Sequence, residues 1–436
     1  MLARLHGIGC CLVLFASAPA GPVAQAADVT SKRAQADWPQ WRGPHRDGVS
    51  LETGLSHDWS RKAPPLVWKT TGLGEGYSSV SIAGSIIYTM GDREDDQYVI
   101  ALAEKDGHEL WRTRIGKSWQ GGGYAGPRST PTVDGRLLYA IGPHGDLLCL
   151  DAKTGQPQWQ RNFKTDFGGL MMSHWGFSES PLVDGKRLIC TPGGKDAAIV
   201  ALDKLTGQEI WRSQLPASEG SKREGAGYSS IVVSEAAGVR QYVQLMGRGL
   251  VSVRAADGAF LWSYERVANK TANIPTPIVK GDYVFASTGY QTGSVLLKLV
   301  RTAQGVDAQE VYFLDSKTLQ NHHGGLVLVG DYLYGGHGHK AGFPVCVDFL
   351  TGKVVWNGGR GPGSGSAAVV YADGELYFRY ENGTMALIDA TPDAYHLRGT
   401  FEIPNVEKPS WPHPVVTGGR LYLREQDALL CYDVRK

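Results

Sequence analysis

Short apolar runs alternate along the chain with glycine-centred polar breaks, and one eleven-residue phrase of this kind recurs. It reads Ala101-Leu-Ala-Glu-Lys-Asp-Gly-His-Glu-Leu-Trp111 and returns at Cys149 to Trp159, Ala201 to Trp211, Ser252 to Trp262 and Cys346 to Trp356. In every copy a glycine stands four residues before the tryptophan: Gly107, Gly155, Gly207, Gly258 and Gly352. The pattern predicts a β-hairpin. An apolar strand ends near an Asp, the chain turns through Thr-Gly or Asp-Gly where a positive φ is needed, and a second strand returns carrying Trp. A second phrase, seen at Thr130 to Tyr139, Ser180 to Ile189 and Thr276 to Phe285, predicts another hairpin upstream of these copies. Two hairpins per unit make a four-stranded antiparallel blade, and a regular period of this size predicts an all-β propeller.

Inner strands are expected to begin near Ser79, Thr130, Ser180, Ser230, Thr276, Gly325, Ala368 and His413, which makes eight blades. The outer strands of the first seven carry Trp111, Trp159, Trp211, Trp262, Phe313, Trp356 and Phe401. The eighth blade lacks its fourth strand, and Leu66 to Thr70, with Trp68, is left over at the other end. Pairing the two closes the ring and removes exposed edges. The predicted organisation is a signal segment (1–26), an N-terminal arm (27–64) pinned over the ring by Trp38 and Trp41, and an eight-bladed propeller (65–436).

Met1 to Ala26 has the form of a secretory signal peptide: Arg4, an apolar run from Ile8 to Ala16, and Ala24-Gln25-Ala26 before a cleavage point. The expected location is periplasmic or secreted. Arg4 is one of 44 basic residues against 43 acidic ones, so its removal leaves a neutral chain. Neutrality argues against nucleic acid as a partner, and no apolar segment is long enough to span a membrane. A monomer is expected. Cys10 and Cys11 leave with the signal segment. Cys149, Cys346 and Cys431 hold one equivalent position in blades that are not neighbours, so buried free thiols are expected, not bridges.

The phrase Ala-x-Asp-x-x-Thr-Gly-x-x-x-Trp resembles the repeat of quinoprotein-type (PQQ-like) propellers. That family includes periplasmic quinone-dependent alcohol dehydrogenases and the propeller lipoprotein of the outer-membrane assembly machinery. The resemblance implies the fold over roughly residues 65–436; it implies no single function, because enzymes, scaffolds and binding proteins share the fold. The dehydrogenases carry an adjacent cysteine pair over the quinone. Here the adjacent pair falls in the signal segment, and there is no Cys-x-x-Cys-His haem phrase, which argues against a bound quinone.

Loops between blades, and those joining second and third strands, open on one face. The long segments fall there: 116–127, 164–177, 216–227 and 315–323 between blades, and 91–97, 191–197 and 335–343 within them. Long loops mark the functional face. Trp119, Tyr124, Arg128, His174, Trp175, Glu179, Tyr228, Asn273, Tyr290, His322, Arg360 and His413 are the candidate ligand-binding residues, as aromatic platforms and hydrogen-bonding groups for a sugar-like molecule. His323, His337 and His339 are the catalytic candidates, because imidazoles clustered beside glycines suit a general base or a divalent metal. No zinc-type spacing is present, so no metal ligand is assigned. The leading expectation is a propeller that binds a ligand or an envelope protein partner. The alternatives are a periplasmic enzyme (a quinone oxidoreductase, or a carbohydrate lyase or hydrolase with a His base) and an envelope assembly scaffold.

Overall fold

The structure is a computed structural model; it describes residues 1–2, 37–217, 224–303 and 305–436. The expected signal segment, apart from residues 1–2, lies outside these residues. The chain forms an eight-bladed β-propeller, each blade a four-stranded antiparallel sheet. Blades 1 to 7 span Ser81–Lys117, Thr132–Asn162, Leu182–Ser213, Val232–Tyr264, Ile278–Asp315, Leu326–Asn357 and Ala367–Glu402. Blade 8 takes three strands from Val415–Asp433 and its outer strand from Leu66–Thr70, which pairs Leu66 with Tyr432 and Thr70 with Leu429. The ring therefore closes as the repeat predicts, and every expected inner strand starts within two residues of its observed position.

The repeated phrase has a physical cause at each position. In blade 2 the Asp151 carboxylate accepts from Lys153 N, Thr154 N and Thr154 Oγ1, which satisfies the turn. Asp203 and Asp348 do the same in blades 3 and 6, and Asp315 builds the same turn in the link from blade 5 to blade 6. Gly155 then turns with φ +74°. A side chain there would meet more than backbone strain: its Cβ would lie 2.5 Å from the Trp111 ring of the preceding blade. Trp111 Nε1 also donates to Ala152 O of blade 2 (3.2 Å), and Trp159 Nε1 to Lys204 O of blade 3 (3.1 Å). The Gly–Trp spacing is thus a contact between neighbouring blades as well as a turn within one.

Two of the expected within-blade loops are largely strand. Gly91 to Gln97 belongs to a hairpin paired through Arg93–Asp96, and blade 6 stays paired through His337–Phe343. One expected loop begins with a single helical turn, Phe163–Phe167, because the Asn162 side chain accepts from Lys164 N and Thr165 N. Cys149, Cys190, Cys346 and Cys431 are buried free thiols inside their blades.

Residues 37–50 enter the middle of the ring. Trp38 exchanges both backbone hydrogen bonds with Ile82 of blade 1, and Pro39 O accepts from Val133 N of blade 2. Trp41 Nε1 donates to Thr276 Oγ1 ahead of blade 5 (2.9 Å). Arg42 reaches Leu326 O of blade 6, and Arg46 reaches Ser180 O and Pro181 O ahead of blade 3. Ser50 bonds Tyr371 O of blade 7 and Val416 O of blade 8. Arg42 and Arg46 adopt left-handed backbone, φ 60° and 58°, which costs about 1 kcal/mol each and is held by these contacts. The arm is a plug across the axis.

Candidate ligand-binding site

The segments that enter each inner strand converge above this plug. A small hydroxyl residue recurs there and stitches blade to blade: Ser180 Oγ accepts from Thr130 N and Ser230 Oγ from Ser180 N, both at 2.9 Å. Ser79 Oγ adds a link from blade 1 to blade 8 by donating to His413 O (2.8 Å). Above the ring of hydroxyls lies a cavity of about 380 Å³, in the range of small-molecule sites. Its floor is Trp41 and Arg42 of the arm. Its walls come from segments entering several blades, together with the second-to-third strand loops of blades 5, 6 and 7.

One wall is a continuous aromatic and imidazole stack. Tyr77, Tyr124 and Trp411 lie with ring centroids 4.7–6.4 Å apart. His323 meets Trp411 edge-on at 4.3 Å and stacks on His322 at 3.7 Å. His339, from the blade 6 loop, meets His322 at 4.2 Å and Tyr290 at 4.5 Å. The pleat of blade 6 explains this meeting, because Asn321 bridges Gly338 and draws the two histidine segments together. His322 is fully engaged, with Nδ1 on Ser366 Oγ (2.8 Å) and Nε2 on Tyr290 OH (3.1 Å). His323 Nδ1, His339 Nδ1 and Trp411 Nε1 are buried without partners.

Burial lowers the pKa of these histidines, and neighbouring charge adds to it. His323 is pushed down to about 3 by burial, then by His339, Arg128 and Lys340. His413 is also pushed down to about 3 by burial and by Arg42. His322 and His339 shift downward for the same first reason. Neutral imidazoles this weakly basic are suited to hydrogen bonding more than to proton abstraction at neutral pH.

Of the residues anticipated as ligand contacts, Tyr124, Arg128, Trp175, Tyr228, Tyr290, His322 and His413 line the cavity, as do His323 and His339 of the catalytic candidates. The remainder do not. His337 points along the blade edge, where its Nδ1 accepts from Gln320 N (3.2 Å). Trp119 packs on His144 outside the cavity, and His174 is exposed, stacked behind Trp175. Asn273 is consumed by Met246 O and Gly247 O, and Arg360 is exposed on the link from blade 6 to blade 7. Trp41, Arg42, Tyr77 and Glu381 were not anticipated. The first two come from the arm, whose path no repeat encodes; Tyr77 occupies the register of an inner-strand entry and was legible by alignment with Tyr228.

Glu179 sits behind the wall and is 3% exposed. Thr191 N (2.6 Å), Thr191 Oγ1 (2.8 Å) and Gln244 Nε2 (3.1 Å) donate to it. Burial nevertheless raises its pKa from 4.5 to about 7, against those bonds and the Arg46 charge. A carboxyl with a raised folded pKa binds more protons folded than unfolded between those values. Stability from this group is therefore lost as pH rises from about 4.5 to about 7. Glu179→Gln is expected to flatten that part of the stability profile in denaturant titrations. An unaltered slope would contradict the assignment.

A family model described as outer membrane protein assembly factor BamB matches residues 95–358. The chain belongs to this family of PQQ-like β-propellers. Among curated family members, the assembly factor of Aliivibrio fischeri is 32% identical over 89 residues, covering 20% of this chain and 22% of that one. The assembly factor of Xanthomonas campestris is 31% identical over 109 residues, 25% of each chain. The chain thus matches about a fifth to a quarter of the length of these relatives. Solved BamB from Moraxella catarrhalis superposes with a TM-score of 0.60 at 14% identity, covering 85% of this chain and 98% of that one. The quinohemoprotein alcohol dehydrogenase of Comamonas testosteroni gives 0.63 at 12% identity, covering 94% and 82%. These superpositions establish the fold alone.

The dehydrogenase branch of the family implies a quinone, and the residues present do not fit one held in that branch's way. No described cysteine lines the cavity, and none of the four is adjacent to another. Among the described residues, no group of three His, Cys, Asp or Glu side chains is arranged to hold a metal ion. Among the described residues, the cavity lining carries one carboxylate, Glu381.

Proposed function

We propose that this protein binds a small saccharide-like ligand in the central cavity and does so in the cell envelope. The observation that carries the reading is the cavity itself: aromatic faces of Trp41, Tyr77, Trp175 and Trp411 alternate with hydroxyls and with buried nitrogens that have no partner. A buried donor or acceptor left unpaired costs about 1–3 kcal/mol, which a ligand's hydroxyl groups recover. A sugar ring offers an apolar face and a polar edge, the same two surfaces in reverse. The envelope location is supported by the family to which the chain belongs and by the signal-like first 26 residues.

The test is calorimetric titration of the secreted form with a panel of saccharides. His323→Ala and Trp411→Ala are each expected to weaken binding at least tenfold while retaining the wild-type circular dichroism. His337→Ala and Arg360→Ala are expected to leave it unchanged. Equal loss in all four variants, or in none, would refute a site in this cavity.

The family match also favours a second reading, a role alongside an envelope protein partner. A thermal midpoint unmoved by every saccharide, together with co-purification of an outer-membrane protein, would transfer support to it.

A further inference from the structure

Arg42 is 4% exposed, and its Nε and Nη1 are shielded from water without any partner. Its Nη2 is held by the carbonyls of Asp47 and Leu326, dipoles that bring no full negative charge. The nearest opposing charge, the Asp47 carboxylate, acts at a distance and is turned to Val49 N. Burial lowers the Arg42 pKa to about 10 in consequence. A buried cation lacking a counter-ion is costly, by several kcal/mol per ion.

Arg42 lines the cavity floor. Nη1 lies against Gly325, where a Cβ would come within 2.6 Å, so only glycine leaves room for the arginine here. Two further cations, Arg128 and Lys340, line the walls. Glu381 is the opposing carboxylate, and its Oε2 already accepts from Ser366 N (3.0 Å). With the imidazoles neutral, the described lining of the cavity is net positive in a medium of low dielectric, where charge acts strongly.

We propose that the cavity takes a carboxylated saccharide, its acid group seated on Arg42 at the floor and its ring against the Tyr77–Tyr124–Trp411 wall. This rests on the ligand-binding function proposed above. Arg is suited to the role because its planar fork meets both oxygens of a carboxylate at once.

The experiment compares trigalacturonate with its methyl ester, which lacks the charges and adds only a methyl at each carboxyl, by calorimetric titration of the secreted chain. The acid is expected to bind at least tenfold more tightly. Lys340→Met is expected to lower acid affinity about threefold and leave the ester unaffected, and Arg42→Gln to abolish the preference. If Arg42→Gln does not fold, Lys340→Met and a salt series on the wild type carry the decision, the acid's advantage shrinking as salt rises. Equal binding of acid and ester, or binding of neutral sugars without the acid, overturns the anion site and leaves the cavity reading standing. No binding of any saccharide overturns both.

Discussion

Deleting residues 37–64 is expected to abolish cooperative folding, although the deletion removes no strand of any blade. The segment contributes Trp38, Leu55 and Trp59, all at most 3% exposed, to the core that joins blades 1, 7 and 8. Burying side chains of this size stabilises by roughly 1.5–3 kcal/mol each, before the cavities left behind are counted. The deletion also strips hydrogen-bond partners from carbonyls at the axis that Arg42 and Arg46 now occupy. Net stability of a folded chain is only about 5–15 kcal/mol, so these losses together rival the total. Scanning calorimetry should show no single sharp transition. A cooperative melt within a few degrees of the wild type would contradict the plug.

Glu425→Gln is expected to destabilise the protein by about 3–5 kcal/mol, the range for breaking a buried ion pair from one side. Arg379 is fully buried. It donates to Ser410 Oγ (2.9 Å), Pro412 O (2.8 Å), Arg424 O (2.6 Å) and Glu425 Oε2 (2.6 Å), and so ties blade 7 to blade 8 next to the ring closure. Removing the carboxylate strands its charge where water does not reach. Replacing both partners, as Arg379→Met with Glu425→Leu, is expected to cost clearly less than the single change, because no charge is then left behind. Urea unfolding of Glu425→Gln, of Arg379→Met and Glu425→Leu singly, and of the double variant checks this. A double variant as unstable as the sum of its singles would show that the pair is not coupled.

Much of the site was readable because the repeat assigns each loop residue to a face. Arg128, Tyr228 and His323 stand two residues before their inner-strand starts, Tyr124, Trp175 and His322 lie earlier in such entering segments, and all line the cavity. The misplaced candidates share a cause. His337 and Arg360 lie in segments on the same face, but alternation along a strand, or the swing of an exposed link, turns a side chain by half a turn, and loop sequence carries no period to show it. Neutrality of the cavity histidines was equally hidden, since it depends on burial and on Arg128 and Lys340 being near.

The sequence by itself determined the number of blades, the strand order and the closure of the ring. Those follow from local chemistry repeated from blade to blade: the Asp–Thr–Gly turn of blades 2, 3 and 6 satisfies its own backbone, and the alternating apolar positions choose their face without help from distant residues. Tertiary structure alone decided where the arm goes, that Gly155 and its equivalents seat the neighbouring blade's aromatic ring, and that an unpaired Arg42 lies beneath the histidines. Each of these joins residues far apart in the chain and occurs once, or only between blades, so no local pattern announces it. The physical reason is that such contacts are selected by the space left at the axis after the ring has closed.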